Sequence, residues 1–188
     1  YDSAIELVKA QLNIFDNEFS MRFQRNPIHN IESRIKTPQS IVGKLQRKEM
    51  PVTPESARNN LTDIAGVRVI CCYIDYAIAD LLTDHSAFQL RKIKDYIKHP
   101  KPNGYRSFHM ILDVPVYMSN GKEIAPVEIQ IRTIAMDFWA SLEHQLRYKS
   151  TGDSKIAESL TGELKDCSET IADIDQKMQD MFKKINLL

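Results

Sequence analysis

The sequence of 188 residues lacks several features that mark common classes of protein. It has three cysteines, but neither a Cys-x-x-Cys pair nor a His/Cys cluster at the spacing of metal ligands. This disfavours both a disulfide scaffold and a structural zinc site. We see no signal peptide, and no apolar run is long enough to cross a membrane. We therefore expect a cytoplasmic protein that has no membrane segment.

The sequence also lacks the two common glycine-rich loops that bind phosphates. There is no GxGxxG, and Ile41–Lys44 only approximates GxxxxGK[ST], because the first glycine and the Ser/Thr are missing. If a triphosphate binds, side chains must hold it, and five candidates lie between residues 34 and 48: Arg34, Lys36, Ser40, Lys44 and Lys48. On a helix, the last four would share one face. A basic stripe that faces solvent is the alternative, and the commoner reason for such a pattern.

Charge of one sign is not in excess, because 25 basic residues balance 25 acidic ones. A general polyanion-binding protein is therefore excluded. Basic residues do cluster, with five and no acidic residue in 33–48, and six against Asp95 alone in 91–106. Two separate patches suit small phosphorylated ligands better than an extended nucleic acid, although ordinary solvated charge is the alternative for each patch.

Hydrophobic periodicity predicts an α+β fold, with a central mixed β-sheet flanked by helices. The predicted helices are Ile5–Phe19, Ile28–Ile35, Pro38–Glu49, Asp75–His85 and Met136–Tyr148. The predicted strands are Ile64–Ile74, Phe88–Ile97, Ser107–Tyr117 and Glu123–Arg132, the last two joined by a hairpin at Asn120-Gly121.

The last segment of the chain has a heptad pattern from Leu160 to Ile185. Two alternatives explain it: packing against the chain's own first helix, or assembly of subunits. We favour assembly, because so long an apolar stripe must be covered by something.

The segment 94–109 combines the residue types of a nucleotide site. Cations can hold phosphates, a flat ring can stack on a base, and an amide can read the edge of a base. These roles fit the basic residues around Tyr105 and the amide of Asn103; the basic residues are Lys94, Lys98, Lys101 and Arg106. Gly104 allows a tight turn that would expose the ring of Tyr105.

Two carboxylates stand in or beside apolar strands. Asp63 precedes the most apolar strand, and Glu128 lies between Val127 and Ile129. A carboxylate in such a place is costly unless it is paired or binds a metal, and Mg²⁺ often uses one or two carboxylates together with phosphate oxygens. The pair therefore predicts a magnesium–nucleotide site. The alternative is a salt bridge from Glu128 to Arg68 or Arg132.

Taken together, these segments resemble the synthetase domain of the RelA/SpoT family, in particular the stand-alone small alarmone synthetases. The resemblance covers roughly residues 26–149 and is closer to the RelP than to the RelQ subgroup. It rests on several ordered motifs, which are Ser33–Lys36, Ser40–Leu45, Asp63–Arg68, Lys94–Ile97, Lys101–Ser107, Glu128–Thr133, Ala135–Ala140, Glu143-His144 and Tyr148-Lys149.

The resemblance implies a nucleotidyltransferase-like fold and a GTP pyrophosphokinase of stringent-response signalling. Such an enzyme moves the β,γ-pyrophosphate of ATP to the 3′-hydroxyl of GDP or GTP, giving ppGpp or pppGpp and AMP. By resemblance, ATP would be held by Arg34, Lys36, Ser40 and Lys44, with Arg68 and Lys48 as helpers. Asp63 and Glu128 would bind Mg²⁺, and Glu128 could also activate the 3′-hydroxyl.

For the acceptor, the resemblance implies that Tyr105 stacks on guanine. The rest of that site would be formed by Lys94, Lys101, Asn103, Arg106, His109 and Gln130. From spacing alone, His109 would more simply be a hydrogen-bonded core residue than a catalytic base.

The resemblance also implies an organisation of the chain. We expect an N-terminal helix in residues 1–25, the synthetase domain in 26–150 and a helical segment for oligomerisation in 151–188. A homotetramer without a hydrolase domain is the expected form. The rivals are an enzyme of this fold with another acceptor, such as an adenosine nucleotide or a tRNA 3′ end, and a catalytically silent assembly or RNA-binding module.

Overall fold

The computed structural model describes residues 1–74, 77–84, 87–149 and 154–185. Its elements, in chain order, are α1 (Asp2–Phe23), β1 (Ile28–Ile35), α2 (Pro38–Arg47), α3 (Pro54–Asn60), β2 (Ala65–Cys71), α4 (Ala77–Asp84), β3 (Gln89–Asp95), β4 (Phe108–Met118), β5 (Gly121–Thr133), α5 (Ile134–Lys149) and α6 (Ser154–Ile185).

The five strands form one mixed sheet in the order β1-β2-β5-β4-β3. Only β2 and β5 pair in parallel, and the other three pairs are antiparallel. Strands β4 and β5 form the predicted hairpin, in which Met118 is opposite Gly121 and Gly121 has φ +130°. The α+β prediction, with a central sheet between helices, is confirmed.

The prediction of a helix at Ile28–Ile35 is wrong, because this segment is strand β1. The register of β1 against β2 shifts between Ile28 and Asn30, as an extra residue in a strand produces. Ile28 and Ile31 consequently both pack against the core, although residues three apart in a regular strand would face opposite sides. Because of this register shift, the core-facing residues Ile28 and Ile31 have the three-residue spacing that is typical of a helix.

The two faces of the sheet differ sharply in polarity. One face is covered by α1 and α4, whose buried side chains pack on the alternating apolar residues of the strands: Ala4, Ile5, Val8, Leu12 and Phe15 in α1 and Ile78, Ala79 and Leu82 in α4. In β5, the residues that face this core are Val127, Ile129 and Ile131. The residues between them are polar and point to the opposite face.

The C-terminal helix α6 packs mainly along α5. Trp139 Nε1 of α5 donates a hydrogen bond to the Leu164 carbonyl at 2.9 Å, and Leu164 is buried. Part of the heptad stripe remains exposed in the single chain, namely Ile174, Met178, Met181 and Ile185. Packing against α1 therefore does not cover this part of the stripe. The domain boundaries after residues 25 and 150 stay predictions.

Within the described residues, no helix is both long enough and apolar enough to span a membrane.

We predict that Leu12→Ala lowers the free energy of unfolding by about 2–5 kcal/mol, because it leaves a cavity between α1 and the sheet. Leu12 is 0% exposed, whereas Leu7 of the same helix is 44% exposed and makes Leu7→Ala the matched control. Urea denaturation measures both variants. Equal effects of the two substitutions would contradict the placement of α1 on the sheet.

Candidate active site

The polar face of the sheet is assembled by strand register. Arg34 of β1 is opposite Gly66 of β2, and Gly66 is opposite Glu128 of β5. One step further along, Gln130 lies between Arg68 on one side and His109 on the other. Asp63 lies just before β2, and it lines one cleft together with Glu128, Arg34, Arg68 and Gln130. The structure thus brings together the two carboxylates singled out in the sequence.

Asp63 is held between two lysines. Its Oδ2 atom accepts hydrogen bonds from Lys36 Nζ and, at 2.6 Å, from Lys44 Nζ. Burial alone would raise the pKa of Asp63, but the hydrogen bonds and charges of these lysines outweigh it and hold the pKa below its ordinary value. The other oxygen, Oδ1, is buried and has no hydrogen-bond partner in the described part of the chain. Asp63 is therefore an ionised group with one oxygen available to a ligand.

Glu128 has weaker partners than Asp63. His109 Nδ1 lies 3.4 Å from its Oε1 atom, and Gln130 Nε2 donates to its Oε2 atom at 3.1 Å. Burial would raise the pKa of Glu128, yet the hydrogen bond and charge of His109 and the hydrogen bond from Gln130 bring the pKa below its ordinary value. The charge of Asp63 acts in the opposite direction on this pKa, so the two carboxylates are close enough to interact.

The alternative salt bridge of Glu128 is not the arrangement seen. Arg68 pairs with Glu32 at 3.0 Å and with Asp137 at 3.3 Å. Arg132 also pairs with Asp137, at 3.0 Å. The two arginines are thus engaged with other carboxylates, and Glu128 faces the cleft with His109 and Gln130.

An open groove of about 620 Å³ runs along α2, and its lining includes Arg34, Lys36, Ser40 and Arg47. Lys36 joins this groove to Asp63. Thr37 caps α2 by accepting a hydrogen bond from the Ser40 amide, and Pro38 occupies its first turn.

The prediction that four residues from Lys36 to Lys48 share one face of a helix is partly wrong. Lys36 precedes α2 instead of lying on it, and Lys48 is the exposed C-cap of the helix. Counting by three and four from Ser40 along α2 leads through Gly43 to Arg47, which lines the groove in place of Lys48. The sequence pattern does not indicate Arg47, because steps of four residues from Lys36 lead to Lys48 instead.

The side of the cleft predicted to hold the acceptor centres on Tyr105. Lys101 Nζ lies 4.7 Å and Arg132 Cζ 5.0 Å from the centre of its ring. Arg132 Nη2 also donates to the Tyr105 hydroxyl at 2.6 Å, and this hydroxyl lies 2.9 Å from His109 Nε2. His109 thus links Tyr105 to Glu128. The sequence indicates Arg132 as a polar residue of this strand and a possible partner of Glu128, but it gives no sign of the contact with Tyr105.

Three other predicted acceptor residues have different surroundings. Lys94 is exposed on β3, opposite His109. The Asn103 side chain is engaged within the chain at both ends, since Nδ2 donates to Glu143 Oε1 at 3.1 Å and Oδ1 accepts from the Tyr105 amide at 3.2 Å. Arg106 Nη1 donates to the Ile97 carbonyl at 3.2 Å. In this arrangement Asn103 and Arg106 brace the loop around Tyr105.

Comparison with known proteins agrees with this geometry. Residues 33–153 match the family model described as the region found in RelA / SpoT proteins. This chain belongs to the RelA/SpoT family. The resemblance inferred from the sequence motifs is therefore confirmed at the level of the family, and the distinction between the RelP and RelQ subgroups stays a prediction.

Members of the RelA/SpoT family with high similarity come from Bacillus subtilis. The chain is 42% identical over 188 residues to the GTP pyrophosphokinase YwaC, covering 99% of this chain and 89% of that protein. Small alarmone synthetase 1 bound to its product pppGpp superposes with a TM-score of 0.89 at 32% identity, over 98% of this chain and 94% of that one. The same synthetase bound to AMPCPP gives a TM-score of 0.82 at 28% identity, over 100% and 94%.

We predict a pH-dependent effect of Asp63→Asn on stability in metal-free buffer. Because the folded-state pKa of Asp63 is lowered, its contribution is present above the ordinary carboxyl pKa and is lost as the pH falls through the lower, folded value. The variant should therefore be less stable than the unaltered chain by about 1–3 kcal/mol at neutral pH, and the difference should shrink as the pH falls below the ordinary carboxyl pKa.

Asp175→Asn provides the opposite case for this measurement. Burial raises the pKa of Asp175, and the hydrogen bond from Thr133 only partly offsets this. Its ionised form costs stability above the folded pKa, so the stability of the unaltered chain relative to this variant should grow as the pH falls. Urea denaturation across the pH range measures both variants, and parallel trends for the two would contradict the assignment.

Proposed function

We propose that this chain is a GTP pyrophosphokinase that transfers the β,γ-pyrophosphate of ATP to the 3′-hydroxyl of GDP or GTP. The observation that carries the proposal is the cleft in which Asp63 and Glu128 meet, between the basic groove along α2 and the Tyr105 loop. The similar protein YwaC is a GTP pyrophosphokinase, and a similar synthetase has been solved with pppGpp and with AMPCPP.

The basic groove suits the donor, ATP. Arg34, Lys36 and Arg47 offer cations beside the hydroxyl of Ser40, and Lys44 reaches the same carboxylate as Lys36. Cationic side chains neutralise triphosphate oxygens and need no glycine-rich loop. Arg68 lines the cleft and can serve as a further contact with ATP. Lys48 is the C-cap of α2 and is not in the lining of the groove.

The Tyr105 loop suits the guanine nucleotide. The tyrosine ring is a stacking surface for a base, and Lys101 and Lys94 are exposed cations nearby for its phosphates. His109 and Gln130 lie between this ring and Glu128. The ribose of a nucleotide stacked on Tyr105 would thus reach towards Glu128.

Asp63 and Glu128 fit a Mg²⁺ ion, which we propose as the cofactor. Asp63 Oδ1 is a buried carboxylate oxygen with no partner in the described residues, and oxygen is the ligand that Mg²⁺ prefers. The described residues contain no cluster of three or more His, Cys, Asp or Glu side chains that could hold a metal. Phosphate oxygens and water would complete the coordination, and bound Mg²⁺ would polarise the phosphate and offset developing charge.

We propose that Glu128, which lines the cleft beside the Tyr105 loop, takes the proton of the 3′-hydroxyl. The 3′-oxygen forms a bond to the β-phosphorus of ATP while the bond from that phosphorus to the α,β-bridging oxygen breaks. AMP leaves with the bridging oxygen, and the proton moves to the Glu128 carboxylate. The lysines around Asp63 hold the phosphates in line, and in phosphoryl transfer such positioning supplies much of the catalysis.

We further propose a cytoplasmic homo-oligomer, a tetramer by family resemblance. The exposed apolar residues of α6 support an assembly, since Ile174, Met178, Met181 and Ile185 are 49–71% exposed in the single chain. The cytoplasm supplies the nucleotides that this reaction consumes.

Nucleotide chromatography after incubation of the chain with ATP, GDP and Mg²⁺ tests the function. We expect ppGpp and AMP in equal amounts. Parallel incubations with adenosine nucleotides or tRNA as acceptors test the rival enzymes. If no acceptor is modified although ATP binds in the presence of Mg²⁺, the proposed reaction is wrong.

Glu128→Gln should abolish synthesis, because the amide cannot take the proton of the 3′-hydroxyl, while both nucleotides still bind. Rates come from the chromatographic assay and affinities from calorimetry. Glu123→Gln on the exposed part of the same strand is the control. An active Glu128→Gln enzyme would remove the proposed role.

Tyr105→Ala should weaken binding of the guanine nucleotide by about 1–3 kcal/mol, the usual contribution of stacking between a base and an aromatic ring. Tyr117→Ala is the matched control, because Tyr117 is 77% exposed at the far end of β4. Calorimetric titration with GDP measures both variants. Unchanged GDP affinity after Tyr105→Ala would contradict the stacking role.

A further inference from the structure

The loop that carries Tyr105 is held from two helices. Within the loop, the Gly104 amide donates to the Lys101 carbonyl at 2.8 Å, and the Lys101 amide donates to the Tyr105 carbonyl at 3.1 Å. Helix α5 reaches the loop through Glu143, which accepts from Asn103. Helix α6 reaches it through Ser168, whose hydroxyl donates to the Gly104 carbonyl at 2.5 Å.

One peptide unit of this loop, between Gly104 and Tyr105, is held by side chains at both of its polar atoms. Its carbonyl oxygen accepts the Ser168 hydrogen bond, and its N–H donates to Asn103 Oδ1. Both polar atoms of this unit are therefore fixed by side chains. Because a peptide unit is planar, fixing its two ends fixes the direction in which the next residue leaves the backbone. Here the next residue is Tyr105.

Packing strengthens this constraint. A Cβ atom at Gly104 would lie 2.6 Å from Ser168 Cβ and 3.3 Å from the Lys165 Cα, so the loop backbone rests directly on α6. Gly104 also has φ +91°, a conformation that glycine adopts without strain. Ser168 is 4% exposed, and its hydroxyl is buried against the loop. The contact is thus a built part of the fold.

We propose that Ser168 of α6 is a positioning residue for the guanine nucleotide: it fixes the Gly104–Tyr105 peptide and thereby the orientation of the Tyr105 ring. Ser168 acts through Tyr105 and does not touch the nucleotide. This inference rests on the proposed function, because it assigns Ser168 to the acceptor side of the site. The donor groove, which is formed by β1 and α2, is independent of this contact.

Initial rates of Ser168→Ala, with each nucleotide varied in turn, test the proposal. We expect the KM for GDP to rise about five- to ten-fold, as it would if the free energy of one hydrogen bond to a buried carbonyl were lost from GDP binding. The KM for ATP and the kcat at saturating GDP should change by less than about two-fold. Thr170→Ala is the matched control, since its hydroxyl donates only to the Asp166 carbonyl of the same helix and is exposed.

A double-mutant cycle separates positioning from general support of the fold. If Ser168 acts through the ring of Tyr105, then Ser168→Ala should have no further effect on GDP affinity in a Tyr105→Ala background. Additive losses would overturn the proposal. So would an unchanged KM for GDP, or a parallel loss of ATP and GDP affinity with a lowered Tm.

The failure of this inference is distinguishable from failure of the proposed function. Calorimetric titration with GDP compares the variants without turnover. An unaltered chain that binds GDP but forms no product would count against the reaction alone, and the Ser168 proposal would then be judged from the binding data. An unaltered chain that does not bind GDP would overturn both.

Discussion

The parallel pairing of β2 with β5 is the constraint on which the rest of the site depends. It sets Gly66 opposite Glu128 and so brings Asp63, which lies just before β2, to the cleft that Glu128 lines. The neighbouring strands then add one group on each side, Arg34 from β1 and His109 from β4. The groove proposed for ATP and the loop proposed for the guanine nucleotide therefore lie beside one pair of carboxylates.

The two carboxylates are compensated differently, and this difference fits different tasks. Asp63 is bound to two lysines, which strongly favour its ionised form and leave one oxygen for a cation. Glu128 has only an imidazole and an amide as neighbours. Because Glu128 has one imidazole beside it where Asp63 has two lysines, we expect that Glu128 accepts a proton at a smaller electrostatic cost than Asp63. In the proposed reaction, Asp63 would thus stay ionised throughout, and Glu128 would be protonated transiently.

The sequence predicted the sheet and the candidate site better than their local details. Asp63 and Glu128 could be selected because carboxylates in apolar strands need a partner, and this holds whatever the topology. The strand β1 could not be recognised, because its register shift gives Ile28 and Ile31 the spacing of a helix. Asn103 contacts α5 and Ser168 of α6 contacts the same loop, and periodicity does not encode such contacts between a loop and distant helices.

The two outer strands of the sheet have a consequence for how copies of this chain can associate. Both have an irregular register, β1 near Ile28 and β3 near Leu90, and β3 adds the exposed charges of Arg91, Lys92 and Lys94. Edge strands with an irregular register or exposed charges resist pairing with a strand of another molecule. Edge-to-edge pairing of sheets is therefore disfavoured between copies of this chain, and the exposed apolar residues of α6 are the better surface for the proposed assembly.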